Sequence, residues 1–340
     1  MSRVTIDGLA NQLGLSKASV SYALNGQPGV SEETRLRVLD LATTLGWQPS
    51  SSARALSRSR TDSIGIVLRR DPGLLGSEPY YMSLLAGVES VLAETGKALL
   101  LRMVGVSSRE EVATYRQWSA EGRVDGVMLF DLVVADERPP LLDELGMAYV
   151  VHGAAPDVAP GRVLANDVGN DVRLIVDHLA GLGHTRILHI AGPAELAHEV
   201  DRTRLLAGLG ASAGIHASSC NAEYSMEEGE RVAFAALAAD PGITAVVASS
   251  DLLALGAAAA LRRLGRADAA MVSWDDSLLC RIVAPAITAL DRFPEEQGRR
   301  STRMLLDVLL GVEPTDSAAR PSELVVRATS VAVKNTSLDN

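Results

Sequence analysis

The side chains able to do chemistry fall into two groups, and neither is arranged for catalysis. Near the N-terminus, Lys17, Ser19, Ser21 and Tyr22 are spaced to face outward from one short helix, with Ser16 ahead of them and Asn25 behind. Far along the chain, Asp251 and Asp275 follow the apolar runs Ala245–Ala248 and Ala270–Trp274, each of which reads as a buried strand. A carboxylate placed there can accept two hydroxyl donors at once, which is chemistry for holding a polyol. The six histidines (His152, His178, His184, His189, His198 and His216) show no HExxH or other close metal spacing. Cys220 and Cys280 lack a CxxC partner. GLGASAG, Gly208–Gly214, mimics a glycine-rich loop but has the wrong spacing and follows no strand. With no Walker A pattern and no GxSxG elbow either, the expectation is no enzyme, no metal and no cofactor.

The first group needs a helix to carry it. Ile6, Leu9, Ala10 and Leu13 recur at the spacing of one helical face, and Thr5 suits the N-cap. A turn at Gly14 leads to a second helix opening at Ser16, with Ala18, Val20, Ala23 and Leu24 available to pack inward. A third opens at Ser31, has Glu32 and Glu33 in its first turn, where the helix dipole favours anions, and runs through Leu36, Leu39, Leu41 and Leu45. This is the layout of a helix-turn-helix, whose second helix enters the major groove; periodicity alone fits any small three-helix bundle equally well. Gln48–Arg60 then reads as a linker, since Pro49 stops the helix. Taken alone, it is a flexible connection carrying one leucine.

Charge divides the same way. The net charge is −10 over 340 residues, yet residues 1–60 hold seven basic against four acidic side chains, or +3, leaving −13 for the remainder. A basic head on an acidic body puts attraction for phosphate at one end. Hydrophobic content of 47% with 22% charged residues describes an ordinary globular chain. No run of eighteen apolar residues suggests a membrane span. MSRVTIDGLA lacks an apolar leader core, so the expected place is the cytoplasm. From Ser63 onward, short apolar runs (Ser63–Leu68, Ala98–Val104, Gly126–Phe130, Ala148–Val151, Ile187–Ile190) alternate with helical stretches. Buried strands separated by helices argue for parallel sheets, and the length argues for two α/β lobes.

The residues VTIDGLANQLGLSKASVSYALNG, VSEETRLRV, LGWQPSSSARAL and TDSIGIV, in this order and spacing, resemble the lactose-repressor family of bacterial transcription regulators. GLGHTRILHIAGP, ASSDLLALGAAAALRRLG, VSWDD and PSELVVRATS extend the resemblance along the body. It implies an α/β fold: a three-helix DNA-binding domain over 1–48, a hinge helix over 49–61, and a body over 62–335 like the periplasmic sugar-binding proteins. Lobe one would take about 62–160 and 293–320, and lobe two about 161–292 and 321–335. Helix Glu295–Leu310 would return to lobe one and the strand near Leu324–Val326 to lobe two.

The resemblance also assigns roles. Thr5, Ser16, Lys17, Ala18, Ser19, Ser21, Tyr22, Asn25, Arg54 and Leu56 would meet DNA. Lys17, Ala18 and Tyr22 would reach base edges, while Leu56 would wedge into a minor-groove step and kink the duplex. Tyr80, Tyr81, Phe130, His152, Arg204, Tyr224, Ser250, Asp251, Asp275 and Arg292 would line the effector cleft. Core packing of the two tyrosines, an N-cap role for Asp251 and an interlobe ion pair for Arg292 remain open readings. The chain departs from the family at Tyr22, where a basic residue is common, and at Gly8, where an aspartate is. It departs again at Thr203, where an effector-binding arginine often stands; the role is carried to Arg204, with Arg202 equally near. The expected partners are double-stranded operator DNA and a small effector, a sugar or sugar derivative. A homodimer is expected, since no C-terminal heptad segment follows the last strand. The function implied is repression from a near-palindromic operator. A solute-binding protein, a sugar-metabolising enzyme and a ligand-free architectural DNA-binding protein are the other classes considered.

Overall fold

The computed structural model describes residues 4–47 and 60–332, less 71–72, 74–75, 77, 106, 154, 156, 267, 315–317 and 331. The chain divides into two compact units that meet at Thr61 and Asp62. In the first, Thr5 Oγ1 accepts the Gly8 amide at 3.1 Å and opens α1 (Ile6–Leu13). Gly14 ends α1 in the left-handed region, φ 64°, a backbone shape that glycine adopts without steric cost. Ser16 caps α2 (Lys17–Leu24) and Ser31 caps α3 (Glu32–Thr44) in the same manner. Leu9, Ala10, Val20, Ala23, Val38 and Ala42 close the core.

One expectation for this unit fails: Ala18 is exposed, not packed inward. The third helix runs through Leu36, Leu39 and Leu41 as expected, with Leu36 and Leu39 60% and 40% exposed. The buried stripe of α3 is Val38, Leu41, Ala42 and Leu45, which follows the i, i+3, i+4, i+7 rule.

The second unit begins with β1 (Ser63–Leu68), α4 (Pro79–Thr95), β2 (Ala98–Met103), α5 (Ser108–Glu121), β3 (Gly126–Leu129), α6 (Arg138–Glu144), β4 (Ala148–His152) and β5 (Val163–Leu164). Their strands form a parallel sheet in the order β2-β1-β3-β4-β5. The chain continues through α7 (Val168–Gly181), β6 (Arg186–Ala191), α8 (Ala197–Ser212), β7 (His216–Asn221), α9 (Met226–Ala239), β8 (Ala245–Ala248) and α10 (Asp251–Arg263). It ends through β9 (Ala270–Ser273), α11 (Leu278–Ile282), β10 (Thr288–Asp291), α12 (Pro294–Leu310) and β11 (Glu323–Val325). The second sheet runs β11-β10-β9-β8-β6-β7. It is parallel except that β11 lies antiparallel to β10.

The fully buried strands β3, β8 and β9, and β4 with its three buried central residues, are covered on both faces by helices, as buried strands of a parallel sheet require. Helix α12 returns to the first lobe, where Met304 and Leu305 join the core behind β1 and α4. Glycines let α12 and α4 touch along their backbones. A Cβ on Gly87 would stand 1.9 Å from Glu295 O, and one on Gly298 would stand 2.1 Å from Leu84 O.

Strand β5 pairs with β4 in the first sheet, so that lobe reaches past residue 160, where it was expected to end. The glycine-rich stretch proves to be helix: Gly208–Ser212 forms the last turns of α8, and Gly214 turns the chain into β7. Among the described residues no helix is long and apolar enough to cross a membrane, and no cluster of metal-ligating side chains occurs.

Candidate ligand cleft and DNA-reading helix

Between the lobes lies a cleft at the carboxyl ends of both sheets, where open α/β sheets take ligands. Residues just past strand ends supply its wall: Phe130 and Asp131 after β3, His152 closing β4, Asn166 after β5, Ser249 to Asp251 after β8, Asp275 after β9 and Arg292 after β10. Tyr80 and Tyr81 enter from the first turn of α4, and Tyr224 comes from the loop before α9. Of the ten residues expected in the cleft, nine line it. Arg204 does not: it is largely exposed and pairs with Asp201. Helix α8 buries Glu199, Arg202, Leu206 and Gly210, so Arg202 faces the cleft and Arg204, two residues on, points away.

The wall is a set of charge pairs seated on aromatic rings. Arg70 donates to Asp131 at 2.5 Å and to Glu78 at 3.3 Å, and lies over the rings of Tyr81 and Tyr224, one from each lobe. Tyr81 OH donates to the same Asp131 oxygen. Burial opposes ionisation of Asp131, but Arg70 and these hydrogen bonds hold its carboxyl well below the usual range. Arg292 stacks over Tyr80 and pairs with Asp275. Burial, reinforced by Arg292, pushes His152 down to about 4. The imidazole is therefore neutral, set between Tyr80 OH at 3.1 Å and Ser301 Oγ at 3.2 Å.

Beneath the cleft, buried Glu199 accepts the Gly192 amide, the Ser249 hydroxyl and the Tyr224 hydroxyl, and pairs with Arg202. Gly192 permits this approach, since a Cβ there would meet Tyr224 OH at 2.3 Å. Arg202 in turn stacks over Trp274.

Several polar atoms are left over. Asp251 Oδ2, Glu78 Oε1 and Asn166 Oδ1 are buried acceptors without a donor, and Arg202 Nε is a buried donor without an acceptor. Burial and the charge of Asp275 raise Asp251 to about 6. Burial likewise raises Glu78 to about 6, with Asp131 and Asp251 adding to the effect against Arg70. Asp251 is not the N-cap of α10; Ser250 is, through its hydroxyl to the Leu253 amide. Five carboxylates (Glu78, Asp131, Asp171, Asp251 and Asp275) thus face three guanidiniums (Arg70, Arg202 and Arg292), and each guanidinium already has an acidic partner.

Sequence reasoning missed Arg70, Glu78, Asp131, Asn166, Asp171, His198 and Ser249 in this wall. Asp131 and Ser249 were reachable, being neighbours of residues already chosen at strand ends.

In the first unit, α2 presents Lys17, Ala18 and Tyr22 to solvent, with Lys17 paired to Asp7 of α1. The hydroxyls of Thr5 and Ser16 are occupied as caps, Ser19 bonds to Ser16, and Asn25 donates back to Ser21. Arg54 and Leu56 lie outside the described residues.

Comparison with known proteins bears on both units. Residues 5–50 match the model described as bacterial regulatory proteins, lacI family, and residues 176–330 match a periplasmic binding protein-like domain. The HTH-type transcriptional regulator CelR of Thermobifida fusca is 31% identical over 319 residues, covering 91% of this chain and 93% of the relative. A solved CelR–cellobiose complex superposes with a TM-score of 0.71 at 30% identity, covering 96% of this chain and all of that one. The lac repressor dimer bound to operator and the anti-inducer ONPF gives 0.82 at 24% identity over 97% of this chain and all of that one, a likeness of fold.

Proposed function

The chain belongs to the lacI family of bacterial regulatory proteins, a transcriptional regulator by kinship, and from that premise we propose a repressor switched by an uncharged polyol. It acts as a homodimer whose two α2 helices enter successive major grooves of a near-palindromic operator. Lys17 donates to guanine acceptors, Ala18 meets a thymine methyl, and Tyr22 reads a further base edge. Ser16, Ser21, Asn25 and Arg54 meet phosphates or orient their neighbours, and Leu56 wedges the minor groove. Ligand in the cleft alters the angle between the lobes and so the hinge pair. Couplings of this kind are typically about 1–3 kcal/mol.

The observation that carries the ligand class is the set of unpartnered buried atoms in the cleft, three acceptors and one donor. Hydroxyl groups supply both, and the rings of Tyr80, Tyr81 and Tyr224 offer apolar faces to a sugar. The excess of carboxylates, with every guanidinium already engaged, argues against a phosphorylated or acidic ligand. The relative's cellobiose complex puts a neutral disaccharide first among candidates.

The test is operator binding by the full chain on DNA upstream of neighbouring genes, with and without a panel of neutral sugars. A sugar that shifts operator affinity identifies ligand and sign together; a chain that binds cellobiose but no DNA would refute the reading.

A further inference from the structure

Behind the cleft, the first lobe buries an ionic cluster whose own side chains, Arg69, Glu111, Asp136 and Arg138, are absent from the cleft wall. Arg138, the first residue of α6, is 4% exposed and has no place in the cleft wall. Every nitrogen of its guanidinium is engaged. Nη1 donates to Glu111 Oε1 at 2.7 Å and to the Phe130 carbonyl at 3.1 Å. Nη2 donates to the Asp131 carbonyl at 2.9 Å and to Asp136 Oδ2 at 2.7 Å, and Nε to Asp136 Oδ1 at 2.9 Å. Asp136 also accepts the amide of Val133 at 3.0 Å. Arg69 closes the far side by pairing with Glu111.

A buried ionic cluster is weak evidence of stabilisation in itself, because desolvation offsets the attraction. What this one holds is a loop in an uncomfortable shape. Asp131 and Ala135 both have left-handed backbones, φ 48° and 58°, which side-chain-bearing residues adopt only when their surroundings enforce it. The loop then does two things. It presents the Asp131 carboxylate to Arg70 and Tyr81 in the cleft. It also crosses to the other lobe, where Val133 forms an antiparallel bridge with Leu196. The bonds of that bridge are Val134 N–H to Glu195 O at 3.1 Å and Ala197 N–H to Leu132 O at 2.8 Å, with Leu132 and Leu196 buried beside them.

We propose that Arg138 is a positioning residue that, from outside the cleft, fixes the Phe130–Asp136 loop so that one segment both sets Asp131 in the cleft and clasps the two lobes together. Cleft occupancy and lobe angle then share one rigid element, which is how a ligand held by Asp131 reaches the second lobe without a further moving part. The proposal rests on the polyol-switch reading for its purpose but not for its geometry, so its test is read without ligand.

The experiment is hydrogen exchange on the intact protein, comparing the peptides spanning 132–137 and 194–199 with β6 and β4 as internal references. In Arg138→Met the protection of both clasp peptides should fall by about tenfold or more while the reference strands keep theirs. Ala197→Pro is the second variant. Ala197 is the first residue of α8, where proline is tolerated. Leu196 before it already has φ −75° and ψ 124°, the extended shape such a residue takes. That variant removes the bond to Leu132 O and leaves Arg138 in place, so exchange should rise about tenfold at 132–137 and stay native at 108–121. Native protection at 194–199 in Arg138→Met, or a rise spread evenly over the first sheet, overturns the proposal. If Arg138→Met does not fold, native exchange at 132–137 in Ala197→Pro overturns it. A native chain that binds no polyol defeats the switch reading and leaves this result standing.

Discussion

Asp251→Asn separates ligand binding from stability, and the two should move in opposite directions. The substitution keeps one side-chain oxygen for the Leu252 amide, which Asp251 Oδ1 accepts at 2.7 Å. It replaces the unpartnered buried Oδ2 with an N–H donor. A ligand hydroxyl that donates to the carboxylate then loses a charged acceptor, worth about 1.5–3 kcal/mol, or roughly 10- to 150-fold in affinity. The effect on the empty protein has the other sign. Asp251 is raised from 3.8 to about 6 in the fold, so the native state binds its proton more tightly than the unfolded chain. Its contribution is therefore neutral below about pH 4, becomes destabilising as pH rises towards 6, and stays so above. That rise corresponds to at most about 3 kcal/mol.

Asparagine removes that penalty. The variant should melt several degrees higher than the native protein at pH 7.5, at about 2 °C per kcal/mol for a unit of this size, and close to it at pH 4.5. Thermal melts at both pH values and calorimetric titration with a neutral sugar give the answer. Affinity equal to the native protein's, or a lower melting temperature at pH 7.5, would refute the assignment of Asp251 as a ligand acceptor awaiting its donor. The native protein should also bind the sugar more weakly as pH falls below about 6, since a protonated Asp251 or Glu78 is a poorer acceptor.

Three further outcomes are expected. Lys17→Ala should cost about 1–3 kcal/mol in operator binding, measured by fluorescence anisotropy, and leave sugar affinity unchanged, because the two units carry separate sites. Leu56→Ala should weaken specific binding much more than non-specific binding, measured on operator and random duplexes; equal loss of both removes the wedge role. Gly87→Ala drives a methyl into Glu295 O at the contact of α4 with α12. It should lower stability by about 1–3 kcal/mol or more in a denaturant melt.

Much of this architecture was legible because the signals were local. Caps at Thr5, Ser16 and Ser31, the αL turn at Gly14, and the buried strands Ala245–Ala248 and Ala270–Ser273 announce themselves within a few residues. Elements without such runs did not. Strand β7 reads HASSCN, because an edge strand with half-exposed faces needs no continuous apolar stretch, and β5 has only two residues. The register of the effector arginine was ambiguous beside Thr203, and the role was carried to Arg204, although the helical period that buries Glu199 and Leu206 buries Arg202 with them.

The cleft was half legible. A strand end marks where a side chain such as Asp275 must emerge, whereas Arg70 and Glu78 sit outside every strand and carry no periodicity that would point to the cleft. Arg138 was invisible for a related reason: its partners are carbonyls and carboxylates brought from Glu111 and Phe130 by tertiary folding.

The proposed regulator reads DNA at its head and is switched by an uncharged polyol in its body. The most direct measurement is operator affinity of the full-length protein, titrated with cellobiose, glucose and glucose 6-phosphate at pH 7.5. A neutral sugar should change operator affinity by about 5- to 150-fold, and the phosphate ester should not. A response to the phosphate ester alone, or operator binding indifferent to every neutral sugar that occupies the cleft, would contradict it.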